Sequence, residues 1–111
     1  MSEAVDHRVL AALSQATGDD PAFLAELIDI YLADAPDLLV AMRDALAARE
    51  AAGLRRAAHT LKSTSAMLGA HRLADLCRHL EDAGGSAETL AQAEDEYLRV
   101  RADLQDARPP S

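Results

Sequence analysis

Apolar residues recur along this chain at steps of three and four, the spacing that lines one face of an α-helix. A first segment, roughly 5 to 16, carries Val5, Val9, Leu13 and Ala16 on one side. In "GDDP", Asp20 is placed to cap a second helix and Pro21 to occupy its first position. The stripe Leu24, Leu27, Ile28, Tyr31, Ala35, Leu38, Met42 and Leu46 then runs on for several turns. Pro36 interrupts it, because proline has no N–H to donate and crowds the preceding turn. The stripe stays in phase across Pro36, so a kink or a tight break is expected there and not a loop. In "EAAG", Gly53 is the sole punctuation before a third helix, which should end at Gly69, a residue suited to a left-handed C-terminal position. A fourth helix carries Leu73, Leu76, Cys77 and Leu80 and should end at Gly84-Gly85. Ser86 caps a fifth, whose stripe is Leu90, Ala93, Tyr97, Val100 and Leu104.

Short connections between long amphipathic helices imply antiparallel neighbours. The expected fold is therefore all-α: an up-and-down antiparallel four-helix bundle with a short extra N-terminal helix packed on it. An irregular orthogonal helical domain is the alternative. One domain should occupy residues 1–107, and the tail "ARPPS" cannot continue a helix, so 108–111 is expected to be disordered.

Composition narrows the picture. Half of the 111 residues are hydrophobic but only 3% are aromatic, so the core must be mostly Leu and Ala, which favours helix over sheet. The net charge of -8 argues against a surface for a phosphate backbone, so no nucleic-acid partner is expected. Cys77 is the single cysteine, which excludes an internal disulfide and a multi-Cys zinc site. No apolar run approaches the roughly 20 residues of a membrane span, and "MSEAVDHRVL" lacks a signal peptide's basic and apolar regions. A cytoplasmic protein that does not engage membranes is the expectation. A monomer is expected too, because one bundle can bury its own stripes.

The third helix holds the candidate chemistry. Taking about 100° per residue, Leu54, Ala57, Leu61, Thr64 and Leu68 point away from His59 and form the core face. Arg55, Arg56, Lys62, Ser63 and Ala66 share the face of His59, which should look into solvent from the middle of a long helix. Lys62 is the only lysine in the chain, and no acid occurs between Gly53 and Ala70. A local positive field on an acidic protein favours an anion beside His59. Ser63 and Ala66 are too short to shield the ring from a bulky partner. An exposed imidazole is largely neutral near pH 7 and so nucleophilic, able to take a phosphoryl group on a ring nitrogen. Lys62 would neutralise that group as a flexible point charge. No Gly-rich nucleotide loop and no cluster of Mg²⁺-binding carboxylates is evident, so the parts describe a phosphoryl carrier without kinase activity of its own.

These residues also carry a resemblance. "AAHTLKSTSAMLGAHRLADLCRHLE", residues 57–81, resembles the histidine-containing phosphotransfer (Hpt) domains of bacterial phosphorelays. The similarity lies in an Ala-His pair, Leu-Lys, a run of small residues, Leu-Gly-Ala and a spaced Leu/Leu-Cys/Leu-Glu helix. "DDPAFLAELIDIYLADAPDLL" is similar to the family's second helix. The resemblance implies that His59 is phosphorylated, on Nε2, with Lys62 contacting the phosphoryl group. It implies that position 63 is kept small for the partner; many members carry Gly where this chain has Ser63. Glu81 matches a position whose side chain can hydrogen-bond the imidazole and fix its orientation. The implied partner is the receiver domain of a response regulator or hybrid histidine kinase, which would supply the reacting aspartate, an acidic pocket and Mg²⁺; this chain itself would need no cofactor. Docking in the family uses an apolar surface, for which Met67 and Phe23 are the candidates here.

The rival function is a helical module with an idle histidine that binds or sequesters a receiver domain. Retention of His59, Lys62 and the small residues together counts against it. His71, Asp75 and His79 recur every four residues, but histidines two turns apart do not comfortably share an ion, so no metal site is assigned. His7 has no supporting neighbours, and Cys77 reads as a small core residue.

Overall fold

The computed structural model describes residues 3–82 and 86–110, and all regular structure among them is helical. Five helices follow in order: α1 (His7–Ala16), α2 (Pro21–Ala47), α3 (Ala51–Met67), α4 (His71–Asp82) and α5 (Ala87–Ala107). Each of α2 to α5 packs on its neighbour in the chain, and α5 closes back on α2. The result is a four-helix ring with α1 laid against α2. The expected end of α4 at Gly84-Gly85 lies outside the described residues.

Local chemistry sets most of the boundaries. Asp20 accepts from the Ala22 N–H and Pro21 opens α2, while Ser86 accepts from the Thr89 N–H to start α5. The first helix begins later than the stripe suggests. Asp6 is its N-cap, so Val5 lies ahead of the helix, buried, its N–H and that of Ala4 both held by the Asp103 carboxylate on α5. Leu10, not Val9, is the buried residue of α1.

Two readings of the second and third helices need correcting. Of the kink or tight break expected at Pro36, the break does not occur, and no loop intervenes: α2 is one helix of 27 residues, with Pro36 on its exposed side. Its buried seam is Leu24, Ile28, Tyr31, Ala35, Leu39 and Met42, while Leu38 and Leu46 flank the seam half-buried. Core packing on both sides of Pro36 holds the helix in register although the Leu32 carbonyl loses its usual donor. Gly53 does not punctuate the α2–α3 link; it lies inside α3. The chain turns instead at Arg49, which takes φ +57°, with the Glu50 N–H on the Ala45 carbonyl.

The end of α3 follows the expected pattern. Gly69 takes φ +83°, and the Ala70 N–H reaches back to the Ser65 carbonyl. After α5, Arg108 has the extended backbone favoured before proline. It is also pinned to α2, Nε and Nη2 donating to the two Asp29 oxygens at 2.7 and 2.8 Å. Arg108, the first residue of the expected 108–111 tail, thus contacts α2.

Candidate functional site

The site forms where α3 packs on α4. On α3, Leu54, Ala57 and Leu61 are buried and Thr64 half-buried, as the helical projection requires, and Leu68, its C-cap, is buried too. Ala58 and Ser65 join them, so the buried arc is wider than that projection. His59 is left facing outwards, its side chain 62% exposed.

Its ring is not free to turn. Nδ1 pairs with Glu81 Oε2 from α4. The other oxygen of that carboxylate, Oε1, accepts from Lys62 Nζ at 2.5 Å. Glu81 therefore bridges the histidine and the lysine, and its side chain is only 15% exposed. The Lys62 ammonium holds the Glu81 carboxyl below the usual carboxylate range, burial opposes the shift, and His59 adds to the lowering. With Nδ1 engaged, Nε2 is the ring nitrogen left for a partner.

Lys62 differs from the expectation in one respect. It is half-buried against α4 and committed to Glu81, not simply projecting beside the imidazole. The sequence contained a hint of this link. Leu73, Leu76, Cys77 and Leu80 define the buried side of α4, and Glu81 lies at the edge of that stripe, one turn beyond Cys77. An acid at the rim of an apolar stripe needs a cation, and α3 offers the only lysine. Cys77 is fully buried beneath, and burial pushes its thiol up to about 12, with the Glu81 charge adding and Lys62 offsetting; it is a core residue and not a nucleophile.

The remaining predicted residues divide into two groups. Arg55, Arg56, His59 and Glu81 line one open groove together with Ala52 and Thr60, which periodicity did not single out. Neither arginine has an acidic partner among the described residues. Ser63 and Ala66 are exposed, and the Ser63 hydroxyl donates to the His59 carbonyl at 3.1 Å, turned to the backbone and away from the ring. Met67 and Phe23 are exposed apolar side chains, but neither lines the groove. His71 meets Asp6 and His79 meets Asp75, so the three-residue repeat on α4 does not converge. Among the described residues no cluster of three metal-ligating side chains occurs.

Residues 26–108 match the family described as Hpt domain. The crystal structure of histidine-containing phosphotransfer protein B (HptB) from Pseudomonas aeruginosa PAO1 is similar to the whole fold. It has a TM-score of 0.84 and 31% sequence identity, covering 97% of this chain and 96% of that one. No curated protein matches the sequence.

Proposed function

The chain belongs to the Hpt domain family and is a histidine phosphotransfer protein of a phosphorelay, and from that premise we infer that His59 is the residue that carries the phosphoryl group. The observation that carries this reading is the engagement of Nδ1 by Glu81, which leaves Nε2 as the exposed nucleophile. Nε2 attacks the phosphorus of a receiver-domain aspartyl phosphate; the N–P bond forms, the acyl O–P bond breaks, and the aspartate leaves as carboxylate. The reverse step returns the group. Such a transfer depends on alignment and charge neutralisation more than on acid–base chemistry. This chain contributes an oriented imidazole, the Lys62 cation and the arginine-lined groove; the receiver contributes its acidic pocket and Mg²⁺. Ser63 and Ala66 leave the partner room to approach, and Met67 and Phe23 offer apolar contact. The protein acts as a monomeric carrier in the cytoplasm with no kinase activity of its own. No helix among the described residues is long and apolar enough to cross a membrane.

Incubation with phosphorylated receiver domains tests the reading. Wild type should gain acid-labile label and His59→Gln none; undiminished labelling of His59→Gln would remove His59 from the role. Absence of transfer to wild type from every receiver would leave the idle binding module. Lys62→Ala should transfer more slowly with the fold intact, and an unchanged rate would exclude Lys62 from the step.

A further inference from the structure

Glu81 holds both members of the candidate phosphoacceptor pair at once, Nδ1 of His59 on Oε2 and the Lys62 ammonium on Oε1. A phosphoryl group on Nε2 would bring a charge of about -2 to the opposite edge of the same imidazole ring. The ammonium, one turn along α3 from the histidine, then has two anions within reach of its flexible stem. A dianion attracts a point cation more strongly than a carboxylate does, and lysine has no rigid fork to tie it to Glu81. Resting on the assignment of His59 as carrier, we propose that Glu81 and the phosphoryl group compete for Lys62. Phosphorylation draws the ammonium off Oε1 and leaves the carboxylate to hold the Nδ1 proton alone.

No proton moves in either direction of the transfer. When a receiver carboxylate attacks phosphorus, the N–P bond breaks and its electron pair returns to Nε2. Because Nδ1 keeps its proton against Glu81, the group expelled is neutral imidazole and not the far more basic imidazolate. Glu81 is thus a positioning residue with a second effect: it keeps the phosphorylated ring in its releasing charge state. Lys62 steadies the bound phosphoryl group, and Glu81 limits that steadying by reclaiming the ammonium. Their balance sets how long phospho-His59 lasts.

A double-mutant cycle on lifetime tests the competition. Wild type, Glu81→Gln, Lys62→Ala and the double variant are phosphorylated with phosphoramidate, a small donor that needs no receiver. Loss of the phosphoryl group is then followed by phosphorus NMR at fixed pH. Glutamine keeps an acceptor for the Nδ1 proton, and so the orientation, but gives up the charge. Glu81→Gln should lengthen the lifetime about fivefold, and Lys62→Ala should shorten it by a factor about threefold larger in the Glu81→Gln background than in wild type. The ammonium nitrogen resonance of Lys62, unambiguous in a chain with one lysine, should shift when wild type is phosphorylated. Equal lifetimes for wild type and Glu81→Gln, equal Lys62→Ala effects in both backgrounds, or an unmoved resonance would overturn the competition while His59 remained the carrier. Failure of both phosphoramidate and phosphorylated receiver domains to label His59 would overturn the carrier assignment, and the competition with it.

Discussion

Six residues beyond His59, α3 turns a serine inwards. Ser65 is fully buried and its hydroxyl meets that of Tyr31 on α2 at 2.8 Å, so a polar pair sits inside a core made of Leu and Ala. Ser65→Ala removes one partner and leaves the tyrosine hydroxyl buried and unpaired, which costs about 1–3 kcal/mol. Urea denaturation should show that loss, and Tyr31→Phe in the same background should recover part of it; an unchanged midpoint for Ser65→Ala would mean that the pair contributes nothing. Tyr97, whose ring lies 6.2 Å from that of Tyr31, provides the contrast, because its buried hydroxyl has no hydrogen-bond partner among the described residues. Asp6 makes a different kind of residue-scale prediction. The Arg8 guanidinium and backbone N–H, with a smaller contribution from His71, hold its carboxyl at about 2 instead of 3.8. The folded value is the lower one, so the stabilisation is fully present above the unfolded value and disappears as pH falls through the folded one. Asn at position 6 still caps α1 but carries no charge. The stability difference between wild type and Asp6→Asn should therefore shrink between about pH 4 and pH 2; parallel pH curves would show that the ion pair does not act on stability.

At the scale of elements, glycines with nearly the same backbone angle do different jobs. Gly18 and Gly69 have φ +87° and +83°. A Cβ at Gly18 meets nothing within 4 Å, whereas one at Gly69 would stand 2.7 Å from the Asp6 carbonyl oxygen and 3.1 Å from the Val9 Cβ. Gly18→Ala should cost only the left-handed strain, about 1–2 kcal/mol. Gly69→Ala adds a backbone clash where the Asp6 N–H bonds the Gly69 carbonyl at 2.9 Å, so it should cost at least about 2 kcal/mol more. Denaturant midpoints check both, and equal losses would mean that α1 simply shifts aside. The comparison marks where sequence reading stops. Gly69 as a helix end follows from its place after a periodic stripe, but its contact with Asp6 depends on how α1 docks, which no local pattern encodes. Arg49 shows the converse: a left-handed arginine closes the α2–α3 turn because the flanking helices hold it there, and Gly53 drew the eye for the wrong reason. His59 was legible because helical phase alone turns it outwards. The Glu81–His59 pairing was legible only through family resemblance, since 22 positions and an interhelical turn separate the two, and for the Lys62 arm of the bridge the sequence held no more than an acid at the rim of an apolar stripe.

For the whole molecule, the ring order of helices decides what the histidine can meet. His59 and Glu81 occupy the α3–α4 edge, and α5 closes on α2 at the edge across the bundle. The Arg108–Asp29 pair ties the end of α5 to α2 along that opposite edge. The charge distribution is lopsided: a chain of net charge -8 presents two exposed arginines without acidic partners among the described residues, in the groove that His59 also lines. On the proposed reading, the overall charge would repel an acidic receiver at a distance while Arg55 and Arg56 would attract it to the groove, favouring encounter in one orientation. Reversing both charges with Arg55→Glu and Arg56→Glu should lower the second-order rate of phosphoryl transfer about tenfold at low ionic strength. Added salt should slow the wild type and speed the variant, because screening weakens attraction in one and repulsion in the other. The rate at saturating receiver should change much less, since neither arginine is the nucleophile or its orienting partner, and helix content should be unaffected at two exposed positions. Stopped-flow transfer measured across a salt series separates these effects, and identical rates and salt slopes for the two proteins would show that the arginines do not guide the receiver to His59.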